Sequence, residues 1–238
     1  MENKFVAPAY PQTGVASTCR SFDEYRAMFR LEDEILRRGP VLDVAGGASS
    51  FTAQLDAMGI PAVAVDPFYD GLSEQVIADG YKEIEVSSAK IAAMANSYDW
   101  SFYGSPENHR RIRESSMDLF AEHFRNETTR SRYYAASLPN LPFEDDTFQL
   151  AVCSHFLFLY SDAFDKRFHA AAIAELLRVL RPGGELRIYP LITLKWEEPS
   201  FLNELLEELK GVAQVEFLTS YLPFTPAKSP LLRLEKSI

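Results

Sequence analysis

"VLDVAGGASSF", residues 41–51, decides the fold. Val41 to Ala45 is a short, almost wholly apolar run, the pattern of a strand buried on both faces of a parallel sheet. Gly46 and Gly47 form a turn, and Ser49 or Ser50 then caps a helix, 51–58, that Gly59 ends in the C' position. "IPAVAVD", residues 60–66, is a second buried strand that closes on an acid. Strand, turn, helix and strand make one βαβ unit with a right-handed crossover. The glycine turn lets backbone approach a ligand where a Cβ would intrude. The helix behind it offers a positive N-terminal end suited to a carboxylate or phosphate. Ala45 and Ser49, however, stand where a nucleotide-binding turn usually carries its first and last glycines.

Upstream, residues 1 to about 19 are rich in Pro, Gly and small side chains and read as an arm that lies on the surface or covers something. "SFDEYRAMFRLEDEILRRG", residues 21–39, has Ser21 and Glu24 at capping-box spacing and a stripe of Tyr25, Met28, Phe29, Leu31, Ile35 and Leu36. One helix up to Gly39 and Pro40 is predicted. Downstream, residues 133–137, 148–156 and 184–191 read as further strands. Ile173, Leu176, Leu177 and Leu180 mark a helix that "RPGG" terminates. A C-terminal helix, "SFLNELLEELKG", precedes two strands joined by a proline-containing turn. The expectation is a Rossmann-like, doubly wound α/β sheet, mostly parallel, with an antiparallel C-terminal edge hairpin, in a single domain spanning 1–238. Residues 1–38 form its arm and first helix. Residues 70–128 are a helical insertion and a candidate lid, with helices at 72–91 and 111–124 and the aromatics Tyr98, Trp100, Phe102 and Tyr103 between them.

With 47% hydrophobic and 24% charged residues, the composition is that of a globular protein. The net charge of -10 opposes binding to a polyanion, so a small molecule is the expected partner and nucleic acid is not. Cys19 and Cys153 supply neither a disulfide framework nor a metal motif, and a reducing compartment is the default. No apolar run approaches the roughly 18 to 20 residues that span a bilayer, and residues 1–14 lack the apolar core of a signal peptide. A cytoplasmic protein without membrane association or bound metal is expected, with a homodimer as the candidate assembly.

Ligands of open α/β sheets sit beyond the carboxyl ends of the strands, which directs attention to 43–49, 66–68, 137–140 and 154 onward. "LPNLPFEDDTFQLAVCSHFLFLY" (138–160) and "AELLRVLRPGGELRI" (174–188) resemble, in order, the later motifs of class I S-adenosylmethionine-dependent methyltransferases. In that family an LPF loop precedes the fourth strand, and a leucine-rich helix with a PGG turn leads into the fifth. The resemblance covers roughly 38–192. "GASSF", "SHFLFLYSD" and "RIYPL" further resemble a bacterial branch of the superfamily from which no substrate carries over. The resemblance implies S-adenosylmethionine as cofactor. It implies that Asp43 lies near the methionine part and that Ala45, Gly46 and Gly47 form the turn beneath it. Asp66 would then bind the ribose, Pro67 and Phe68 would flank the adenine, and Ser137 and Leu138 would edge it. Ser137 replaces a frequent aspartate and so lacks its charge. Ser154 and His155 would end the fourth strand beside the sulfonium, with His155 the candidate base and Tyr160 an orienting group. His109, His123 and His169 read as solvated or structural. Arg20 and Tyr25 could reach the cofactor carboxylate from the first helix, but a surface role for Arg20 and a core role for Tyr25 are the expected readings. A methyltransferase for a small molecule follows, with a non-catalytic binding module of the same fold as the alternative. A nicotinamide oxidoreductase is weaker, because no lysine follows a tyrosine by four residues as a short-chain dehydrogenase requires.

Overall fold

The computed structural model describes residues 7–237. After an irregular strap, α1 (Phe22–Phe29) and α2 (Asp33–Leu36) lead into β1 (Val41–Val44), α3 (Phe51–Ala57) and β2 (Ala62–Val65). Next come α4 (Ser73–Ala93), α5 (Pro106–Arg125) and α6 (Glu127–Arg130), followed by β3 (Tyr133–Tyr134) and β4 (Phe148–Ser154). α7 (Lys166–Val179), β5 (Leu180–Tyr189), α8 (Leu202–Leu209), β6 (Ala213–Thr219) and β7 (Pro230–Lys236) complete the chain. The strands form one sheet in the order β3-β2-β1-β4-β5-β7-β6.

All four residues of β1 are buried, as its apolar run requires at the centre of a sheet covered on both faces. It pairs in parallel with β2 on one side and β4 on the other, with Val44 opposite both Val65 and Cys153. The carboxyl ends of these three strands therefore finish level, and the chain order reverses between β1 and β4. That junction is where a ligand cleft is expected. At the far side β7 inserts antiparallel between β5 and β6. The expected C-terminal pair forms, but only β7 opposes the sheet direction, and β6 is the edge.

The first predicted helix is two. Arg30 adopts φ 53° and breaks the stripe between α1 and α2, with no glycine to signal it. The cause lies 157 residues away in sequence: the buried Arg187 of β5 donates from Nη1 to the carbonyls of Phe29 (2.6 Å) and Arg30 (3.0 Å). Arg187 also pairs with Glu185, which pairs in turn with Arg233 and Arg38. Alternation along β5 puts these charged residues on one face, while Leu186 and Ile188 enter the core on the other.

Other boundaries shift for local reasons. "RPGG" does not stop a helix that has already ended at Val179; it is a bulge within β5, where pairing to β4 jumps from Phe148–Leu180 to Leu150–Glu185. β3 keeps only Tyr133 and Tyr134 of the five expected residues. α5 begins at Pro106, well before residue 111, because the Ser105 side chain accepts from the Asn108 N–H at 3.1 Å and Pro106 suits the first turn. The link between β6 and β7 is a ten-residue excursion, 220–229, that carries Leu222 and Phe224 into the core beside α1 and the insertion. No helix among the described residues is long and apolar enough to cross a membrane.

Removing one partner of a buried ion pair leaves an uncompensated charge, at a cost of about 3 kcal/mol or more. Arg187→Met is expected to lower the stability by about 3 kcal/mol in urea unfolding. Arg187→Lys should recover only part of it, because an ammonium cannot serve the carboxylate and both carbonyls in a planar fork. A loss under 1 kcal/mol would show that α1 and α2 are set apart by something else.

Candidate functional site

The turn after β1 adopts left-handed backbone at Ala45 (φ 54°) and Gly47 (φ 53°). Ala45 thus keeps a conformation that favours glycine, a strain of about 1–2 kcal/mol. Ser49 has no such φ, and its Oγ accepts from the Phe51 N–H at 3.0 Å, capping α3 from within the turn. The two glycines are required by the protein's own atoms. A Cβ on Gly46 would lie 2.7 Å from Tyr69 Oη and 2.8 Å from Asp43 Oδ2; one on Gly47 would lie 2.9 Å from the Thr18 carbonyl. Asp43 therefore sits beneath the turn, where Tyr25 Oη donates to its Oδ1 at 3.0 Å. Burial, reinforced by Asp66, pushes the Asp43 carboxyl well above its ordinary range.

Asp66 ties the ends of β1 and β2 together. Its Oδ2 accepts from the Gly47 N–H (2.9 Å) and its Oδ1 from the Phe68 N–H (2.8 Å). Beside it opens a cavity of about 340 Å³, lined among others by Ala45, Asp66, Pro67, Phe68, Ser137 and Leu138. These six expected residues from three separate loops are thus brought together, at a size that suits a small organic ligand. Asp43, Gly46, Gly47 and Ser154 do not line it: the first three build the turn, and Ser154 Oγ contacts Met28 Sδ and His155 Nδ1.

A second cavity lies on the other side of the strap. His155 and Tyr160 line it, with Tyr10, Thr18, Arg20, Glu83, Tyr98, His109, Arg113, Trp196 and Phe224 among the rest. His155 takes φ 52° directly after β4, and its N–H donates to the Tyr189 carbonyl at 2.7 Å. Left-handed backbone at a non-glycine residue facing a cavity is strain of the kind found at functional sites. Burial, with Arg20 and Arg113 nearby, pushes the imidazole well below its usual pKa, so it is neutral. Tyr160 holds the strap, its hydroxyl accepting from the Ala16 N–H at 3.0 Å.

The remaining histidines divide. His169 is structural: its Nδ1 bonds the Asp165 carbonyl (2.9 Å) and its Nε2 accepts from the Phe158 N–H (3.0 Å), which shapes the loop after β4. His123 bridges Tyr133 and Asp56. His109, read as solvated or structural, instead faces the second cavity. It stacks on Phe224 with ring centres 5.2 Å apart and contacts the Arg113 guanidinium at 3.1 Å.

Arg20 is not at the surface. Arg20, Arg113 and Glu24 form a buried cluster in which Glu24 receives Arg20 Nη1 (3.4 Å), Arg113 Nη1, Tyr103 Oη (2.6 Å) and the Ser21 N–H (2.8 Å). The predicted capping box is present, but its glutamate also neutralises two cations. Burial alone would raise the Glu24 carboxyl; the guanidiniums outweigh it and hold it at about 2. Two cations to one anion leave a net positive charge, and Arg20 Nε has no partner among the described residues. Arg20 and Arg113 line the cavity from the strap and from α5. No group of three or more His, Cys, Asp or Glu side chains among the described residues could hold a metal ion.

The strap, 7–20, lines both cavities. Tyr10 N–H donates to the Leu194 carbonyl (2.8 Å), Trp196 Nε1 to the Pro8 carbonyl (2.7 Å) and Lys90 Nζ to Gln12 Oε1 (2.9 Å). Val15 and Ser17 line the Asp66 cavity, and Thr18 packs on Gly47. Glu83, Arg113, Trp196 and Phe224 had no marker in the sequence, since each comes from a separate segment.

A methyltransferase domain model matches residues 111–188. Over 193 residues the chain is 32% identical to uncharacterised protein MJ0045 of Methanocaldococcus jannaschii, covering 81% of this chain and 85% of that protein. Among solved structures, it is similar to the 1,6-didemethyltoxoflavin-N1-methyltransferase of Burkholderia thailandensis, with a TM-score of 0.49, 14% identity, and 90% and 78% of the two chains covered. It is also similar to a TehB-like SAM-dependent methyltransferase from Corynebacterium glutamicum, with a TM-score of 0.46, 14% identity, and 85% and 82% covered.

Because the folded Glu24 pKa lies below its ordinary 4.5, its contribution to stability is complete above pH 4.5 and is lost as the pH falls toward 2. Glu24→Gln should cost about 3 kcal/mol at pH 7 and flatten that acid loss in urea unfolding. An acid limb as steep in the variant as in the native protein would assign it to other carboxylates.

Proposed function

Because the chain belongs to the class I S-adenosylmethionine-dependent methyltransferase superfamily, in one family with the Methanocaldococcus jannaschii protein, we propose that it methylates a small molecule held beside His155. The observation that carries this reading is Asp66. It is anchored by two backbone N–H groups to the glycine turn and to the next loop, and it lines a cavity with Pro67, Phe68, Ser137 and Leu138.

These residues fit S-adenosylmethionine. A carboxylate has about four acceptor sites, so Asp66 retains two for ribose hydroxyls. Pro67 and Phe68 offer apolar faces to the adenine, and Ser137 and Leu138 edge it. Arg20, at the end of the strap, has an unpartnered Nε that suits the cofactor's carboxylate. When bound, S-adenosylmethionine supplies an electrophilic methyl group on a positively charged sulfur. Positioning provides much of the rate of such an in-line transfer. His155 Nδ1 is engaged by Ser154 Oγ, which leaves Nε2 to accept the proton that a nucleophile sheds. A neutral imidazole needs no deprotonation before it can do so. The strap borders both ligand sites, with Thr18 packed on Gly47 and Ala16 bonded to Tyr160.

One observation favours a non-catalytic binding module: at Ser137 the adenine edge lacks a charged partner. Cofactor binding without any methylated product over a broad panel of small acceptors would support that reading.

Calorimetric titration should show binding of S-adenosylhomocysteine, and Asp66→Ala should weaken it about a hundredfold, the loss of two hydrogen bonds to a charged group. No binding at millimolar ligand would overturn the proposal. Once an acceptor is in hand, His155→Gln should lower kcat by about a hundredfold or more with S-adenosylhomocysteine affinity retained. The activity of the native enzyme should show no acid limb near pH 6.5, because the depressed His155 pKa keeps the ring neutral there.

A further inference from the structure

Three polar atoms from residues lining the cavity beside His155 are buried without a partner among the described residues: Arg20 Nε, Glu83 Oε1 and Tyr98 Oη. Buried polar groups are nearly always paired. Three orphans in one cavity mark where the polar atoms of a ligand go. The Arg20 carbonyl accepts from the Ser50 N–H just after the glycine turn at 3.1 Å, and its Nε is assigned to the cofactor's carboxylate. Glu83 and Tyr98 are left for the acceptor.

Glu83, on α4, makes no ion pair among the described residues. Lys90, on the same helix, makes no ion pair with Glu83; its Nζ is bonded to Gln12 Oε1 at 2.9 Å and lies over the Tyr10 ring, 5.7 Å from its centre. Arg113 is committed to Glu24 and to the Cys19 carbonyl. Around Glu83 the cavity wall is aromatic. Tyr98 stacks on Phe224 with ring centres 4.6 Å apart and planes at 12°, and Trp196 meets Tyr98 edge-on at 6.3 Å and Tyr10 at 6.4 Å. A carboxylate with no ion-pair partner in contact, in a cavity walled by Tyr98, Trp196 and Phe224, is an environment that attracts an ammonium group through both charge and ring quadrupole.

Resting on the methyltransferase reading, we propose that the methyl acceptor is a small amine whose nitrogen docks on Glu83 within this aromatic wall. Glu83 takes one proton from the bound ammonium and frees the nitrogen lone pair. That pair forms the new N–C bond to the methyl group as the C–S bond breaks with its electrons left on sulfur. His155 then accepts the proton shed by the methylated nitrogen. Burial raises the Glu83 carboxyl, an effect Lys90 partly opposes, and so suits it to receive the first proton. The hydroxyl of Tyr98 supplies an acceptor for a remaining N–H.

The test uses the full chain saturated with S-adenosylhomocysteine and titrated with benzylamine, benzyl alcohol and benzoate, which share a ring and differ in charge. Benzylamine should bind at least tenfold more tightly than the other two. Glu83→Gln should abolish that preference while S-adenosylhomocysteine affinity is retained, and Tyr98→Phe should weaken benzylamine severalfold. Benzoate binding as tightly as benzylamine, or benzylamine affinity unaltered in Glu83→Gln, overturns the proposal and leaves the methyltransferase reading standing. Should Glu83→Gln fail to fold, the order of the three ligands on the native protein still decides. Failure of S-adenosylhomocysteine to bind the native protein is a separate readout and removes the reading on which the proposal rests.

Discussion

A single carboxylate out of contact with water, that of Glu24, holds the walls of the site together. It caps α1, pairs Arg20 at the end of the strap with Arg113 on α5, and receives the hydroxyl of Tyr103 from the link between α4 and α5. Desolvating a charge is costly, and the cost is offset only where several donors converge. Here four do. Because the cluster carries two guanidiniums to one carboxylate, the wall it builds is positive. That excess is a reason for the depressed pKa of His155 and of His109, in addition to burial.

The second constraint is the turn at the carboxyl end of β1. Ala45 and Gly47 are left-handed, and Asp66 fastens the Gly47 N–H to the end of β2. Across the junction with β4, His155 is left-handed too. Strain thus flanks both sides of the point where strand order reverses, and the level strand ends bring the two sides together. Ala45 keeps the conformation at the expense of a methyl group where glycine is free of penalty. Ser49 shows the opposite case, since its backbone is ordinary and its side chain caps α3.

Enclosure is a property of the assembled chain. The strap crosses both cavities and is pinned from the loop after β4 by Tyr160, from the segment after β5 by Leu194 and Trp196, and from α4 by Lys90. The insertion contributes Glu83, Tyr98, His109 and Arg113, and the excursion between β6 and β7 contributes Phe224. Both segments depart from a minimal α/β plan, and both are spent on the wall of one cavity. Partial burial there strengthens the interactions between charges that line it.

The sequence by itself determined the sheet, its central βαβ unit and the loops that face the cleft. These follow from apolar runs of strand length, helical spacing and turn residues, all of which act within a few positions of one another. Asp66, Pro67, Ser137 and Leu138 were legible for that reason, as the ends of recognisable strands. The tertiary structure decided what no local spacing encodes. Arg187 split the first helix from the far side of the sheet, and Arg20 exchanged an expected surface position for a buried ion cluster. Asp43 went under the turn, and His109 faced a cavity. In each case the deciding partner is a charged or aromatic group brought from a distant segment. The energy of burying such a group depends on what meets it in three dimensions, which a single segment of chain does not contain.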